Sequence, residues 1–263
     1  MSSQMCRGKS VCFTFAVILI AILQQTFAQS SLSYVRVGCY KDRVGLMRSM
    51  TLLASYRNPP HKTLDWNDLK TSVVDQCALE AKKTNSPFFG IQYYGECWGG
   101  PGQYNRHGKS ANCARIGGAY VGKGFANYVY MLTGDECTTY TTLSDFTRSR
   151  SYNDNINRCD HWSRDWPTEG AWYRFDGAAG KAMANSCVGA NHCGTEKTGW
   201  FNGNLPVVAD GISSGAVCFN DKHNNCCSKK LDTIRVRRCE GFYVYHLPST
   251  HGCNEAYCGD GSL

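Results

Sequence analysis

The chain has 263 residues, 42% hydrophobic and 19% charged, with sixteen cysteines and a formal net charge of +7. That charge is mild and its lysines and arginines are scattered along the chain, so neither a nucleic-acid partner nor a polybasic membrane segment is implied. So many cysteines read as a disulfide framework closed in an oxidising compartment, with reactive or metal-bound thiols as the lesser alternative.

Residues 1–28 read as a secretion signal. Arg7 and Lys9 form a basic start, Val11 to Leu23 an apolar run, and Thr26-Phe27-Ala28 offers small residues for cleavage after Ala28. The run is shorter than the ~20 residues that span a bilayer. No later segment is a second apolar span, so the expectation is a secreted, extracellular protein without a membrane anchor. The signal holds Cys6 and Cys12. The other cysteines fall into an early set, Cys39, Cys77, Cys97 and Cys113, and a late set, Cys137, Cys159, Cys187, Cys193, Cys218, Cys226, Cys227, Cys239, Cys253 and Cys258. Each set is even and can close internally. Two small disulfide-rich modules follow, with a seam near Thr133-Gly134-Asp135-Glu136: an N-terminal α+β module over 33–132 and a C-terminal, mainly β module with irregular loops over 135–260.

In the first module, Leu69, Val73, Cys77 and Ala81 recur every four residues, which predicts a helix over 65–83. Acidic residues open it, Lys82-Lys83 close it, and Pro87 follows. Segments 89–94 and 127–132 read as strands. Cys77 with Cys97 and Cys39 with Cys113 is the pairing this geometry suggests. Tyr93, Tyr94, Trp98, Tyr104 and Tyr128 lie near a glycine-rich stretch (Gly95, Gly99, Gly100, Gly102). Rings with polar tips beside exposed backbone suit a sugar ligand. The plainer reading places them in the core, with Trp98 covering a disulfide. VGCYKDR (37–43), FGIQYYGECWGG (89–100), GKSANC (108–113) and NYVYML (127–132) together resemble a WSC-like module. Some such extracellular modules are linked to carbohydrate binding, and the resemblance implies that role here. This stretch has four cysteines, where such modules usually carry more.

In the second module, 171–176 and 181–184 read as a hairpin turning through 177–180. A second hairpin is expected from 232–239 and 242–247, with arginines on one face. Cys226 and Cys227 are adjacent. A disulfide favours Cα atoms about 5.5 Å apart, so each reaches a different partner. CDHW from Cys159, GAWYRFDG (170–177), CGTEKTGWFNGNLPVVADG (193–211), the CC pair and CEGFYVYHLPSTHGCNEAYCGD (239–260) closely resemble the cysteine-rich domain of the uromodulin type, shared with a pancreatic zymogen-granule glycoprotein. Sequence alone leaves the late pairing open. The resemblance implies Cys137 with Cys239, Cys159 with Cys253, Cys187 with Cys226, Cys193 with Cys258, and Cys218 with Cys227. It also implies an extracellular protein; some relatives display glycans on this domain as decoys for bacterial lectins. Here the corresponding stretch reads Asn202-Gly203-Asn204 and holds no Asn-x-Ser/Thr acceptor.

Chemistry-bearing motifs are sparse. Gly211-Ile212-Ser213-Ser214-Gly215 fits G-x-S-x-G, with Asp232 and His246 following in hydrolase order, but no strand–turn–helix context surrounds it. The Gly102 to Ser110 stretch misses P-loop spacing, His192 beside Cys193 competes with a disulfide for any metal, and Asp154, Asn157 and Asp160 lack the glycine and terminal glutamate of a calcium loop. No catalytic residue, metal ligand or cofactor is expected. The reading is a non-catalytic extracellular interaction, adhesion or defence protein that binds a glycan or a surface or matrix protein. A soluble lectin acting through the first module, or a secreted serine hydrolase using Ser213, are the alternatives.

Overall fold

The computed structural model describes residues 32–59, 62–101 and 103–262. The expected signal at 1–28 and Gly102 lie outside the described residues. From Leu32 onward the chain is one compact unit, mostly β and disulfide-rich.

The first half builds a five-stranded antiparallel sheet in the order β1-β7-β3-β4-β2. Its strands are β1 (Ser33–Lys41), β2 (Thr51–Ser55), β3 (Phe88–Gln92), β4 (Glu96–Gly100) and β7 (Ala126–Thr133). A small ribbon, β5 (Cys113–Ile116) with β6 (Ala119–Gly122), sits between β4 and β7 in sequence. The predicted helix begins later than its acidic start suggests. A π-helical stretch Lys70–Asp75 leads into α1 (Gln76–Lys83). Asp65 and Asp68 instead fold turns: Asp65 accepts from Asn67 N at 2.9 Å and Asp68 from Thr71 N at 3.0 Å. The entry is fixed from outside the helix, where Lys70 N donates to Gly117 O at 3.1 Å. The stripe Leu69, Val73, Val74, Cys77, Ala78 and Ala81 packs on Phe89, Ile91, Cys97 and Val121. Each large apolar side chain so buried stabilises by roughly 1.5–3 kcal/mol. Bridges Cys77–Cys97 and Cys39–Cys113 tie the helix to the sheet and β1 to the ribbon.

The second half forms a seven-stranded sheet in the order β14-β10-β11-β12-β13-β9-β8. In chain order these are β8 (Thr141–Leu143), β9 (Ala171–Phe175), β10 (Lys197–Asn202), β11 (Ile212–Asn220), β12 (Lys229–Arg238), β13 (Tyr243–Leu247) and β14 (Glu255–Tyr257). The β12–β13 hairpin forms. The 171–184 hairpin does not: β9 pairs with β13 and β8, and Gly177–Ala179 is a 3-10 turn. Residues 182–184 are buried on every side against the C-terminal segment, so no alternation sets a strand face there. Met183 bridges Gly259, and Ala184 N reaches Cys258 O at 2.9 Å. The core is aromatic: Trp166, Tyr173, Phe175, Phe201, Phe219, Tyr245 and Tyr257. Within it Arg148 grips Asp160 through both Nη atoms, at 2.5 and 2.9 Å, and Asp160 also accepts from Tyr257 N at 2.8 Å. Asp160 is therefore a buried ion-pair partner. Bridges join Cys159–Cys253, Cys187–Cys226, Cys193–Cys258 and Cys218–Cys227.

The arginines expected on one exposed strand face divide. Arg235 is exposed, whereas Arg237, on the same side, is buried. It pairs with Glu136 Oε1 at 2.8 Å and donates to Leu132 O at 3.3 Å. Beside this pair Cys137–Cys239 staples the end of the first sheet to the end of β12. Arg36 of β1 pairs with Glu240 in the β12–β13 turn, and Ala209 packs on the Met50, Trp98, Tyr104 and Val129 cluster. The polar seam predicted at 133–136 is thus a packed, cross-linked joint.

Candidate functional site

The strand register gathers several turns at one end of the first sheet. Lys41 opposes Ala126, and Gln92 opposes both Asn127 and Glu96. The segments leaving these positions, 42–48, 93–95 and 123–125, therefore project from the same end. Residues 57–59 follow β2, whose Ser55 opposes Glu96, and with residues 62–66 they join these turns, through Arg57 over Tyr93 and Trp66 beside Tyr94. Segment 103–109 lies alongside, with Lys41 N bonding Gly108 O at 3.0 Å.

These turns display apolar residues instead of the usual polar ones. Leu46 is fully exposed, Val44 61%, Phe125 60% and Trp66 53%, with Met47 and Tyr93 at 45% each. They connect in space. Trp66 lies 5.4 Å from Tyr94 and Tyr94 6.4 Å from Tyr93, ring centre to ring centre; Arg57 lies 4.1 Å above the Tyr93 ring. Tyr93 N reaches Lys123 O, and Asp42 N bonds Phe125 O at 2.9 Å, which carries the surface over to the Val44–Met47 turn. Three of these residues pay backbone strain to be there: Tyr93, Tyr94 and Phe125 have φ of 49°, 68° and 56°. Such angles are left to Gly or Asn in most turns.

Cations rim the same end. Lys41, Arg43, Arg106 and Lys109 are exposed on the two neighbouring segments. The sole acid within 40–49 and 103–113 is Asp42, buried and held by Arg48 Nη1 at 2.8 Å and Ser49 N at 3.0 Å. His107 Nε2 lies 2.7 Å from Met47 O, and Arg106 reaches Arg48 O at 3.4 Å, so the apolar tip is braced. The scattered basic residues of the sequence are here gathered by folding. Alternation and spacing carry no signal of this; the one legible hint is Val44-Gly45-Leu46-Met47, an apolar stretch in a segment with no strand or helix partner.

The five sequence-selected rings do not converge. Tyr93 and Tyr94 belong to this end. Trp98 and Tyr104 are buried on the sheet face away from α1, with Arg48 stacked 4.1 Å from Trp98. Burial raises the Tyr104 hydroxyl above its ordinary pKa. Tyr128 is half-buried and stacks on Tyr120 at 4.9 Å. Tyr120, but not Tyr128, lines a concavity of about 340 Å³ between the halves, together with Tyr34, Arg36, Lys70, Arg115 and Glu240. Two of its cations are neutralised locally, Arg36 by Glu240 and Lys70 by Asp75.

The hydrolase alternative fails on register. Ser213 opposes Val236, which opposes Tyr245; Ser214 opposes Arg235, which opposes His246. Directly opposed residues share a face and neighbours alternate. Ser213 and His246 therefore lie on opposite faces of the sheet, and Asp232 is taken by Lys230 at 2.6 Å. Cys193 is in its disulfide, and no cluster of metal-binding side chains occurs among the described residues.

Residues 173–259 match the family described as the uromodulin-like domain. Mouse uromodulin is 38% identical over 129 residues, 49% of this chain and 19% of its own length. The human pancreatic secretory granule membrane major glycoprotein GP2 is 34% identical over 125 residues, and its dog counterpart 33% over 141. The chain spans only about a fifth to a quarter of these relatives. The second half thus carries a uromodulin-like domain homologous to theirs. With seven disulfides among the described residues, the protein is a secreted, extracellular one.

Proposed function

We propose that this protein is a non-catalytic binding protein of the extracellular space, built from a WSC-like module over 33–132 and a uromodulin-type domain over 135–260. Its ligand, a surface glycan or a surface or matrix protein, is taken by the exposed end of the first sheet. The observation that carries this reading is the apolar, cation-rimmed cluster of turns around Leu46, Phe125 and Tyr93, mounted on a disulfide-closed frame. Contiguous exposed apolar surface on a stable monomer marks an interaction site. A rigid frame spares the ordering cost of binding.

The test is a binding screen of the secreted protein against arrayed glycans and matrix proteins. A Leu46→Glu variant should lose the ligand found, while Trp162→Glu, on the second half, should keep it. Binding that survives Leu46→Glu refutes the surface. The lectin reading is favoured by one feature, the exposed Tyr93 ring with Arg57 across its face. Tyr93→Ala should then abolish sugar binding. Trp98→Ala does not isolate that site, because Trp98 is core.

A further inference from the structure

We propose that the exposed end of the first sheet docks on an anionic lipid surface, with Val44, Leu46, Met47 and Phe125 entering the interface and the surrounding cations resting on headgroups. This rests on the binding reading above for the surface alone, and gives that surface a lipid occupant instead of the glycan or protein named there.

The chemistry is layered in the way a lipid interface demands. The most protruding groups are aliphatic or phenyl, with no polar atom to desolvate: Leu46 is fully exposed, flanked by Val44 and Met47. Behind them stand Trp66, Tyr93 and Tyr94, amphipathic rings of the kind that settle at headgroup level. Around the tip lie Lys41, Arg43, Arg106 and Lys109, exposed and without an acid partner among the described residues, since Asp42 is turned inward onto Arg48 and Ser49. A protein pocket that took Leu46 would have to leave or neutralise each of these cations, whereas an anionic membrane meets all of them at once. Peripheral attachment needs two signals acting together, apolar insertion and electrostatic attraction. Both are present on one surface.

The tip is also held in shape before contact. Met47 O is capped by His107, Arg48 is fixed by Asp42 and by the Trp98 ring, and Arg106 reaches Arg48 O. Phe125 occupies a left-handed position that a glycine would fill at less cost. Ordering of the loop therefore takes little from the binding energy.

The experiment is co-sedimentation of the full secreted chain with vesicles. One set is pure phosphatidylcholine; in the other roughly a third of the lipid is phosphatidylglycerol. The expected result is partitioning at least about tenfold stronger onto the anionic vesicles, weakening steeply with added salt. Leu46→Glu, and separately Lys41→Glu with Arg43→Glu, should each reduce partitioning by about tenfold or more. Trp162→Glu removes a largely exposed ring on the second half and should change nothing. Absence of sedimentation overturns the proposal, as does partitioning indifferent to Leu46→Glu or equally lost in Trp162→Glu. A variant pattern seen on glycans or proteins but not on vesicles would sink the lipid partner while leaving the binding surface standing.

Discussion

Replacing Glu136 by leucine tests whether the two halves act as one body. Arg237 and Glu136 are both almost fully buried, and their 2.8 Å contact joins β12 to the segment after β7. Burial lowers the Arg237 pKa and Glu136 pulls it back up. Glu136 Oε1 also accepts from Gly134 N at 3.2 Å, so the carboxylate organises the turn it sits in. Glu136→Leu leaves a guanidinium buried without its counter-ion. Breaking such a pair from one side costs about 3–5 kcal/mol. For a unit of this size that corresponds to a Tm lower by roughly 6–20 °C. Adding Arg237→Met removes the stranded charge, and an apolar pair in place of a buried ion pair should return to within about 1 kcal/mol of the parent or exceed it. The assay is urea unfolding with disulfides intact, followed by tryptophan fluorescence, since Trp98 and Trp166 report on separate halves. Both halves should unfold in one transition in the parent. If Glu136→Leu costs less than about 1 kcal/mol, or if the double variant is no better than the single one, the buried joint is not what couples the halves.

The disulfides should not be equivalent. The chain-entropy relation gives about 4.7 kcal/mol for the Cys137–Cys239 loop and about 2.6 kcal/mol for the Cys218–Cys227 loop, whose sequence separations are 102 and 9. Paired Cys→Ser variants compared by denaturant midpoint should keep that order, and a reversal would show that native-state effects dominate. Asp145 caps a short helix and is held by Arg158 and by Thr147 N, which lower its pKa to about 2. A depressed folded pKa adds stability above the unfolded value near 3.9, lost as pH falls through about 2. Asp145→Asn should flatten that part of the acid limb, by no more than about 1 kcal/mol because the carboxylate is mostly exposed. An unchanged slope between those values would refute the assignment.

The sequence reveals elements whose burial is periodic and hides those set by long-range packing. The stripe Leu69, Val73, Cys77 and Ala81 marks α1 because one face is core, and the alternation in 232–238 marks β12 because Ile234 and Val236 face inward. Segment 181–184 misleads because Ala182, Met183 and Ala184 are buried from all sides. Arg237 misleads more sharply: among exposed arginines it reads as solvent-facing, yet its partner lies 101 residues away and becomes visible only when the halves meet. The candidate surface was half legible. Tyr93 and Tyr94 stand out as aromatics, but the sequence places them in a strand over 89–94, whereas β3 ends at Gln92 and both residues turn with positive φ. Lys41, Arg43, Arg106 and Lys109 become neighbours only through the pairing of Tyr40 with Lys109.

Phe125 separates what stability wants from what binding wants. It is the third residue of the turn Lys123 to Ala126, closed by Ala126 N on Lys123 O, and its φ of 56° is the position where such turns take glycine. Its ring is 60% exposed, so folding gains little from it. Phe125→Gly should relieve left-handed strain of about 1 kcal/mol, more than the residual burial it gives up. The variant should therefore unfold at equal or higher denaturant, yet bind its surface more weakly, because the phenyl group is what protrudes. Nearby Gly122 gives the opposite case: a Cβ there would meet Ala126 O at 1.8 Å, so Gly122→Ala should lose stability. If Phe125→Gly proved clearly less stable, the ring would belong to the fold. If it bound as tightly as the parent, the strained turn would have no part in recognition.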